Sequence, residues 1–364
     1  MTRQKKWKKE QQAPTAPKPK AKVRRSNKRS PAGEAKRRER SRVYLIEKAA
    51  KNDEQSVVRL ASVPSQFLRI KTSDKNAQKI ARKTLGKFTP SSFQLAIREG
   101  LFVAPFPKDV FDYLPYDHPR QMVVREDIRQ YMDFDSLCIR VLGIYHRMKG
   151  AGLKIPTVKE THRSATAALH FGTWQIARKN PAPTADTRKI LANPALGDLA
   201  RELFDILRME LAPVIAFLTK RWCPNSWAKQ ERTREYIVAN SLDAHRPLLP
   251  LLDFLGAFFA FAMKEGSSER AHLDWNDHPD SLTWIIGFGQ WEGANFCCPQ
   301  LGVNIPVPYG HVVGCQTRRF LHCGTEVEFG ERLTFTLFCD HILLLNGSNF
   351  EGPFRRDSCY YTDS

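Results

Sequence analysis

The chain has 364 residues, 42% of them hydrophobic, which is ample for a core, and its eight cysteines include no C-x-x-C pair, so neither structural disulfides nor structural zinc is needed. The N-terminus has no apolar signal core and no run approaches the roughly 18 apolar residues of a membrane span, so a soluble, intracellular protein with no membrane partner is expected. The formal charge of +19 is unevenly placed: residues 1–42 carry 17 Lys and Arg against 3 Glu, and the rest of the chain is only mildly basic.

Residues 1–42 contain Pro and Ala among the charges and show no periodic apolar face. They read as a disordered basic tail, because they cannot bury enough surface to offset the entropy of ordering. The clusters RRSNKR and KRRER suit a nuclear-import signal or a phosphate-binding arm, so a nuclear protein with a nucleic-acid partner is expected. Residues 43–160 read as a helical and irregular extension. Within it, FVAPFPKDVFDYLPYDHP has four prolines and is not helix, whereas 123–149 reads as a helix ending near Gly150. A domain over 161–350 follows, with a C-terminal tail over 351–364.

Between Leu199 and Leu218, eight apolar residues recur at spacings of three and four. That pattern predicts an amphipathic helix with Asp198 as N-cap, kinked or broken at Pro213. A second helix is predicted over Trp227–Leu242, and both are expected to pack on the back of a sheet. After Pro250 the texture changes to short β-branched and aromatic runs: AFFAFAMKE, LTWIIGFG, ANFCCPQ, VNIPV, HVVGCQT and RLTFTLF. Their number approaches that of a jelly roll or cupin-like barrel, so the fold class is α+β.

Residues two apart on a strand point to the same side, so His272 and Asp274 can present an imidazole and a carboxylate to one point. His322, 48 residues past Asp274, would complete a facial triad that leaves three positions open on Fe(II). Two of these suit 2-oxoglutarate and the last admits dioxygen. Arg332, ten residues past His322, can hold the far carboxylate of 2-oxoglutarate through a forked pair of hydrogen bonds, with Thr334 beside it. In the last strand Arg332, Thr334, Thr336, Phe338 and Asp340 alternate with Leu333, Phe335, Leu337 and Cys339. The even face is expected to line a polar cavity and the odd face to meet the helices. His278, His311 and His341 read as structural or surface histidines, and Trp284 and Trp291 as packing residues.

At HLDWND, GQWEGANFCCPQLGVNIPV, LHCGTEV and ERLTFTLF the sequence resembles the fungal branch of the Tet/JBP family of 2-oxoglutarate and Fe(II) dioxygenases. The resemblance spans about residues 170–345. It implies a double-stranded β-helix core buttressed by helices, flipping of a methylated base out of DNA, iron ligands His272, Asp274 and His322, and Arg332 for the cosubstrate. It also implies that Asp277 hydrogen-bonds the base and that Phe338 stacks on it. Where relatives commonly carry His, this chain has Asp340, which makes Asp340 a candidate selector of the base. A carboxylate accepts equally from N4 of cytosine and N6 of adenine, so 5-methylcytosine and N6-methyladenine both stay open. Lys264 and Arg270 are candidates for the second carboxylate of 2-oxoglutarate. The other readings are an RNA or protein hydroxylase and a noncatalytic nucleic-acid-binding protein.

Overall fold

The structure, a computed structural model, describes residues 123–155, 168–267, 272–298, 303–320 and 322–352, together with the backbone of three short strands: β1 (Val57–Arg59), β2 (Gln94–Leu95) and β3 (Gly100–Val103). The basic tail 1–42, the proline-rich run 104–119, Arg270, Cys359 and residues 353–364 lie outside the described residues.

Ten further strands follow: β4 (Val123–Asp127), β5 (Leu169–Trp174), β6 (Ala182–Pro183), β7 (Ala260–Glu265), β8 (Thr283–Gly293), β9 (Phe296–Cys298), β10 (Val303–Ile305), β11 (His311–Cys315), β12 (Cys323–Gly324) and β13 (Val327–Phe338). They form a large sheet in the order β1-β3-β4-β11-β8-β13-β7-β5-β6 and a small one in the order β12-β9-β10-β2. From Ala260 onward the chain alternates between them. Strand β7 lies in the large sheet, His272 bridges to His322 on the small side, β8 returns, β9 and β10 cross, β11 returns, β12 crosses and β13 closes the large sheet. The inner order β7-β13-β8-β11 beside His272-β12-β9-β10 is a double-stranded β-helix, the expected core.

Strand register shows why one face of the large sheet is apolar. Leu169, Met263, Phe335, Ile286 and Val312 stand side by side across five strands, and Phe171, Phe261, Leu337, Trp284 and Gly314 form the next row. The apolar side chains of both rows are buried in one core with helix residues such as Leu137, Val141, Leu203 and Leu218. Gly314 makes room for Trp284, since a Cβ there would come within 2.9 Å of the indole. The Trp284 Nε1 donates to Thr219 Oγ1 at 3.0 Å, so this core ring satisfies its polar atom in the helical layer.

That layer contains α1 (Phe134–Gly150), α2 (Ala185–Leu191), α3 (Gly197–Ile206), α4 (Ala212–Trp222), α5 (Pro224–Asn240), α6 (Leu249–Leu252) and α7 (His341–Ser348). The predicted helix over 123–149 is a strand followed by a helix. The β-branched start Val123–Val124 pairs with β11, and Asp133 then caps α1 by accepting from the Ser136 amide at 3.1 Å. The break predicted at Pro213 is a π-helical turn over Leu207–Leu211 with Pro213 in the first turn of α4. A wider turn accommodates a residue that lacks an N–H and crowds the preceding carbonyl. Asp198 is not the N-cap of α3. Leu196 holds that position and Asp198 lies in the first turn, where a carboxylate complements the helix dipole.

Candidate metal centre

The second face of the large sheet is polar and lined with small residues. Register aligns His170, Ala262, Thr336, Ile285 and Val313 in one row and Lys264, Thr334 and Gly287 in another. On this face Ala260 and Ala262 carry only a methyl and Gly287 carries no side chain.

Those two histidines are fixed to one another through the backbone. Each donates its amide to the other's carbonyl at 3.0 Å, while the Asp274 amide donates to the Thr317 carbonyl at 3.2 Å. The intervening Leu273 is 4% exposed, so the extended segment buries its apolar residue and turns its two polar neighbours to the opposite side. Donor atoms of His272, Asp274 and His322 all lie within 4.8 Å of one another. The His272 Nε2 is 3.6 Å from Asp274 Oδ1, and the His322 Nε2 is 3.3 Å from Asp274 Oδ2.

The chemistry of this set calls for a cation. The His322 Nδ1 is 2.9 Å from the Phe320 carbonyl, a contact that requires a proton on Nδ1. With Nδ1 protonated, a neutral ring would point its Nε2 lone pair at the Asp274 carboxylate. Only a second proton or a metal ion between them removes that repulsion. Burial alone would lower the His322 pKa, but the hydrogen bond and charge of Asp274 outweigh it and hold the imidazole above its ordinary value. Burial likewise works to raise Asp274, and the hydrogen bond and charge of His322 hold it below the usual carboxylate range. Two imidazoles and one carboxylate converging from one side fit a divalent first-row metal with open positions opposite.

Arg332 projects from the same polar face of β13. It is 6% exposed, and its Nε has no hydrogen-bond partner among the described residues. The guanidinium lies over the Trp291 ring, 5.1 Å from its centroid. Gly287 is what allows this stack, since a Cβ there would come 2.6 Å from Trp291 Cη2 and 2.8 Å from Arg332 Nε. Burial lowers the Arg332 pKa to about 10, which still leaves it charged at neutral pH. A buried cation held by a ring, with no carboxylate partner among the described residues, has the chemistry to receive an anion.

Other expected site residues are engaged differently. The Thr334 hydroxyl donates to the Gly266 carbonyl at 2.7 Å, so it is not free to donate to the same anion as Arg332. Lys264 donates to the Ser267 carbonyl at 2.6 Å. Asp277 is buried, and its Oδ2 accepts from Thr283 at 2.5 Å and Thr317 at 2.7 Å. Burial, reinforced by the Asp274 charge, pushes its carboxyl up to about 8. Phe338 is 7% exposed on the same face of β13 as Arg332 and packs edge-on to His170.

Asp340 departs from expectation. Strand β13 ends at Phe338, so the period-two reading stops there. The Asp340 Oδ1 instead accepts from the Leu343 amide at 2.8 Å as the N-cap of α7 and also lies 3.4 Å from the Gln175 amide. His170 is the residue that the sequence reading passed over. The signal was in LHFGTW, where Leu169 and Phe171 face the core while His170 and Trp174 alternate with them.

No known family profile matches the chain, and no curated protein matches it. Among solved structures, the backbone is similar to NgTET1 in complex with 5mC DNA (TM-score 0.46, 11% identity), over 85% of this chain and 92% of that one. It is also similar to a 2OG-Fe(II) oxygenase family oxidoreductase from Burkholderia pseudomallei (TM-score 0.32, 14% identity), over 59% of this chain and 82% of that one. A third is a C-terminally truncated protein of Neurospora crassa in its apo form (TM-score 0.27, 14% identity), over 79% of this chain and 96% of that one. These are likenesses of backbone course, and the functional reading below is built on the side chains of this chain.

Proposed function

We propose that this protein is an Fe(II)- and 2-oxoglutarate-dependent dioxygenase that oxidises a methylated base in DNA, with 5-methylcytosine as the substrate. The observation that carries the reading is the His272, Asp274 and His322 cluster together with the buried Arg332, which shares the polar face of β13 with Thr334 and whose Nε has no hydrogen-bond partner among the described residues. His272, Asp274 and His322 would hold the metal, and Arg332 would pair with the far carboxylate of 2-oxoglutarate. Bound there, Fe(II) and 2-oxoglutarate supply the oxidation of a C–H bond by dioxygen, with succinate and carbon dioxide as co-products. Trp291 and Gly287 keep the guanidinium in place. Phe338 offers a flat apolar face on which a base taken out of the stack can lie.

DNA as substrate draws support from the charge distribution. A tail with 17 basic residues within 42 suits sequence-independent contact with phosphates, and the same clusters suit a nuclear protein. The test is incubation of the purified protein with Fe(II), ascorbate, 2-oxoglutarate and duplexes carrying either 5-methylcytosine or N6-methyladenine, followed by nucleoside mass spectrometry and succinate assay. Loss of 5-methylcytosine with gain of its hydroxymethyl form is expected, and His272→Ala should abolish it. Loss of N6-methyladenine alone would reassign the base. Succinate without change in either base would overturn the DNA reading, and no succinate would overturn the oxygenase reading.

A further inference from the structure

Two polar residues expected to meet a base stacked on Phe338 are already engaged: the Asp340 carboxylate caps α7, and the Asp277 Oδ2 holds two threonine hydroxyls. His170 on β5 packs against Phe338 and is not so engaged. It is aligned with Ala262 and Thr336, so its ring stands on the same face as Phe338. Among the described residues no hydrogen bond to either ring nitrogen is seen, and the half-buried imidazole is close enough to Asp274 for their charges to interact.

The backbone holding this ring is pinned on both sides. The His170 amide donates to Asp186 Oδ2 at 2.8 Å, and its carbonyl accepts from Thr184 Oγ1 at 2.5 Å. Ala262, the neighbour on β7, has too little side chain to cover the imidazole. The ring centroid is 6.5 Å from Trp174, near-parallel at 28°, and 6.3 Å from Phe338 at 78°. A planar heterocycle stacked on Phe338 would therefore lie roughly perpendicular to the imidazole plane. In that arrangement a ring nitrogen of His170 can meet the polar edge of the heterocycle.

We propose that His170 is a substrate-binding residue, the hydrogen-bonding contact to the edge of the base that stacks on Phe338. The inference rests on the oxygenase reading above and goes beyond it by assigning base recognition to a strand outside the double-stranded β-helix. An imidazole carries one donor and one acceptor when neutral, which matches the mixed donor and acceptor edge of a nucleobase. A ring nitrogen engaged by the base would lose that hydrogen bond to an apolar ring, which gives selectivity for a polar heterocycle.

The test compares His170→Gln, which keeps a donor and an acceptor, with His170→Phe, which keeps the aromatic packing, and with His170→Ala. For each, kcat and KM on methylated duplex are measured beside Tm and the anaerobic visible absorption of the protein with Fe(II) and 2-oxoglutarate. The expected result is a loss in kcat/KM of about 10-fold or more for His170→Phe and His170→Ala, with His170→Gln within about 3-fold of wild type. The absorption band, which reads iron and 2-oxoglutarate rather than the base, should be unchanged. If His170→Phe retains full activity and His170→Gln does not, the ring is a packing residue and the proposal is overturned. An equal loss of the absorption band in all three would also overturn it. Should the wild-type protein oxidise no base, the substrate reading fails and this assignment with it. An active wild type with indifferent variants sinks the His170 assignment alone.

Discussion

Gly287→Ala perturbs the proposed 2-oxoglutarate contact at Arg332 without being a proposed ligand itself. The new methyl would come 2.6 Å from Trp291 Cη2 and 2.8 Å from Arg332 Nε, both well inside van der Waals contact. Gly287 pairs with Thr334 in the middle of β8, so the backbone cannot retreat without breaking the ladder to β13. The side chains must give instead, and Arg332 moves off the Trp291 face. Overpacking of this kind costs about 1–3 kcal/mol of stability. A forked guanidinium–carboxylate pair contributes about 1.5–3 kcal/mol, so misalignment should raise KM for 2-oxoglutarate by about 10- to 150-fold. The assay is succinate formation against 2-oxoglutarate concentration, with bound iron measured separately because the atoms nearest the new methyl belong to Trp291 and Arg332 and not to His272, Asp274 or His322. A fall in Tm with KM unchanged within about 2-fold would refute the assignment of Arg332 as the carboxylate partner.

Arg332→Met should show the opposite signs in the two states: removing a buried charge with no carboxylate partner among the described residues raises the Tm of the ligand-free protein by about 2–8 °C, and 2-oxoglutarate then adds no further stabilisation by thermal shift. Measured below pH 6, Asp340→Ala should lower Tm by about 2–4 °C through loss of the α7 cap, whereas Asp340→Asn keeps the cap and leaves kcat/KM on DNA unchanged. Burial raises the Asp340 pKa from 3.8 to about 6, so its contribution is fully present below about pH 4 and is lost as pH rises through 6. Asp340→Asn should therefore flatten the stability of the protein across that window in pH-dependent chemical denaturation. Deleting residues 1–42, which removes 17 basic groups, should weaken duplex binding and reduce the slope of log affinity against log salt, with KM for 2-oxoglutarate unchanged.

Much of this site was legible because strand periodicity is rigid. His272 and Asp274 share a side for the same reason that Leu333, Phe335 and Leu337 share the core, and both follow from a repeat of two. Legibility failed where that repeat stops. Asp340 lies two residues past the end of β13, in a turn where a carboxylate is drawn to free amide groups at a helix start, and alternation says nothing about that pull. Thr334 does occupy the expected face, but the position of the Gly266 carbonyl depends on how β7 ends and cannot be counted along the sequence. Residues 123–127 look helical by their apolar spacing and become a strand because β11 offers them an edge. The bracing of Arg332 by Trp291 depends on a bare Cα at Gly287, a three-residue meeting across β8 and β13 that no single-strand pattern encodes.

The mutual backbone pairing of His272 and His322 links two donors to a single opening event. Either both imidazoles are held in register or neither is, so release of a bound ion should be all-or-none rather than ligand by ligand. Its rate would then follow the breathing of this one strand pair, measurable as hydrogen exchange at the two amides.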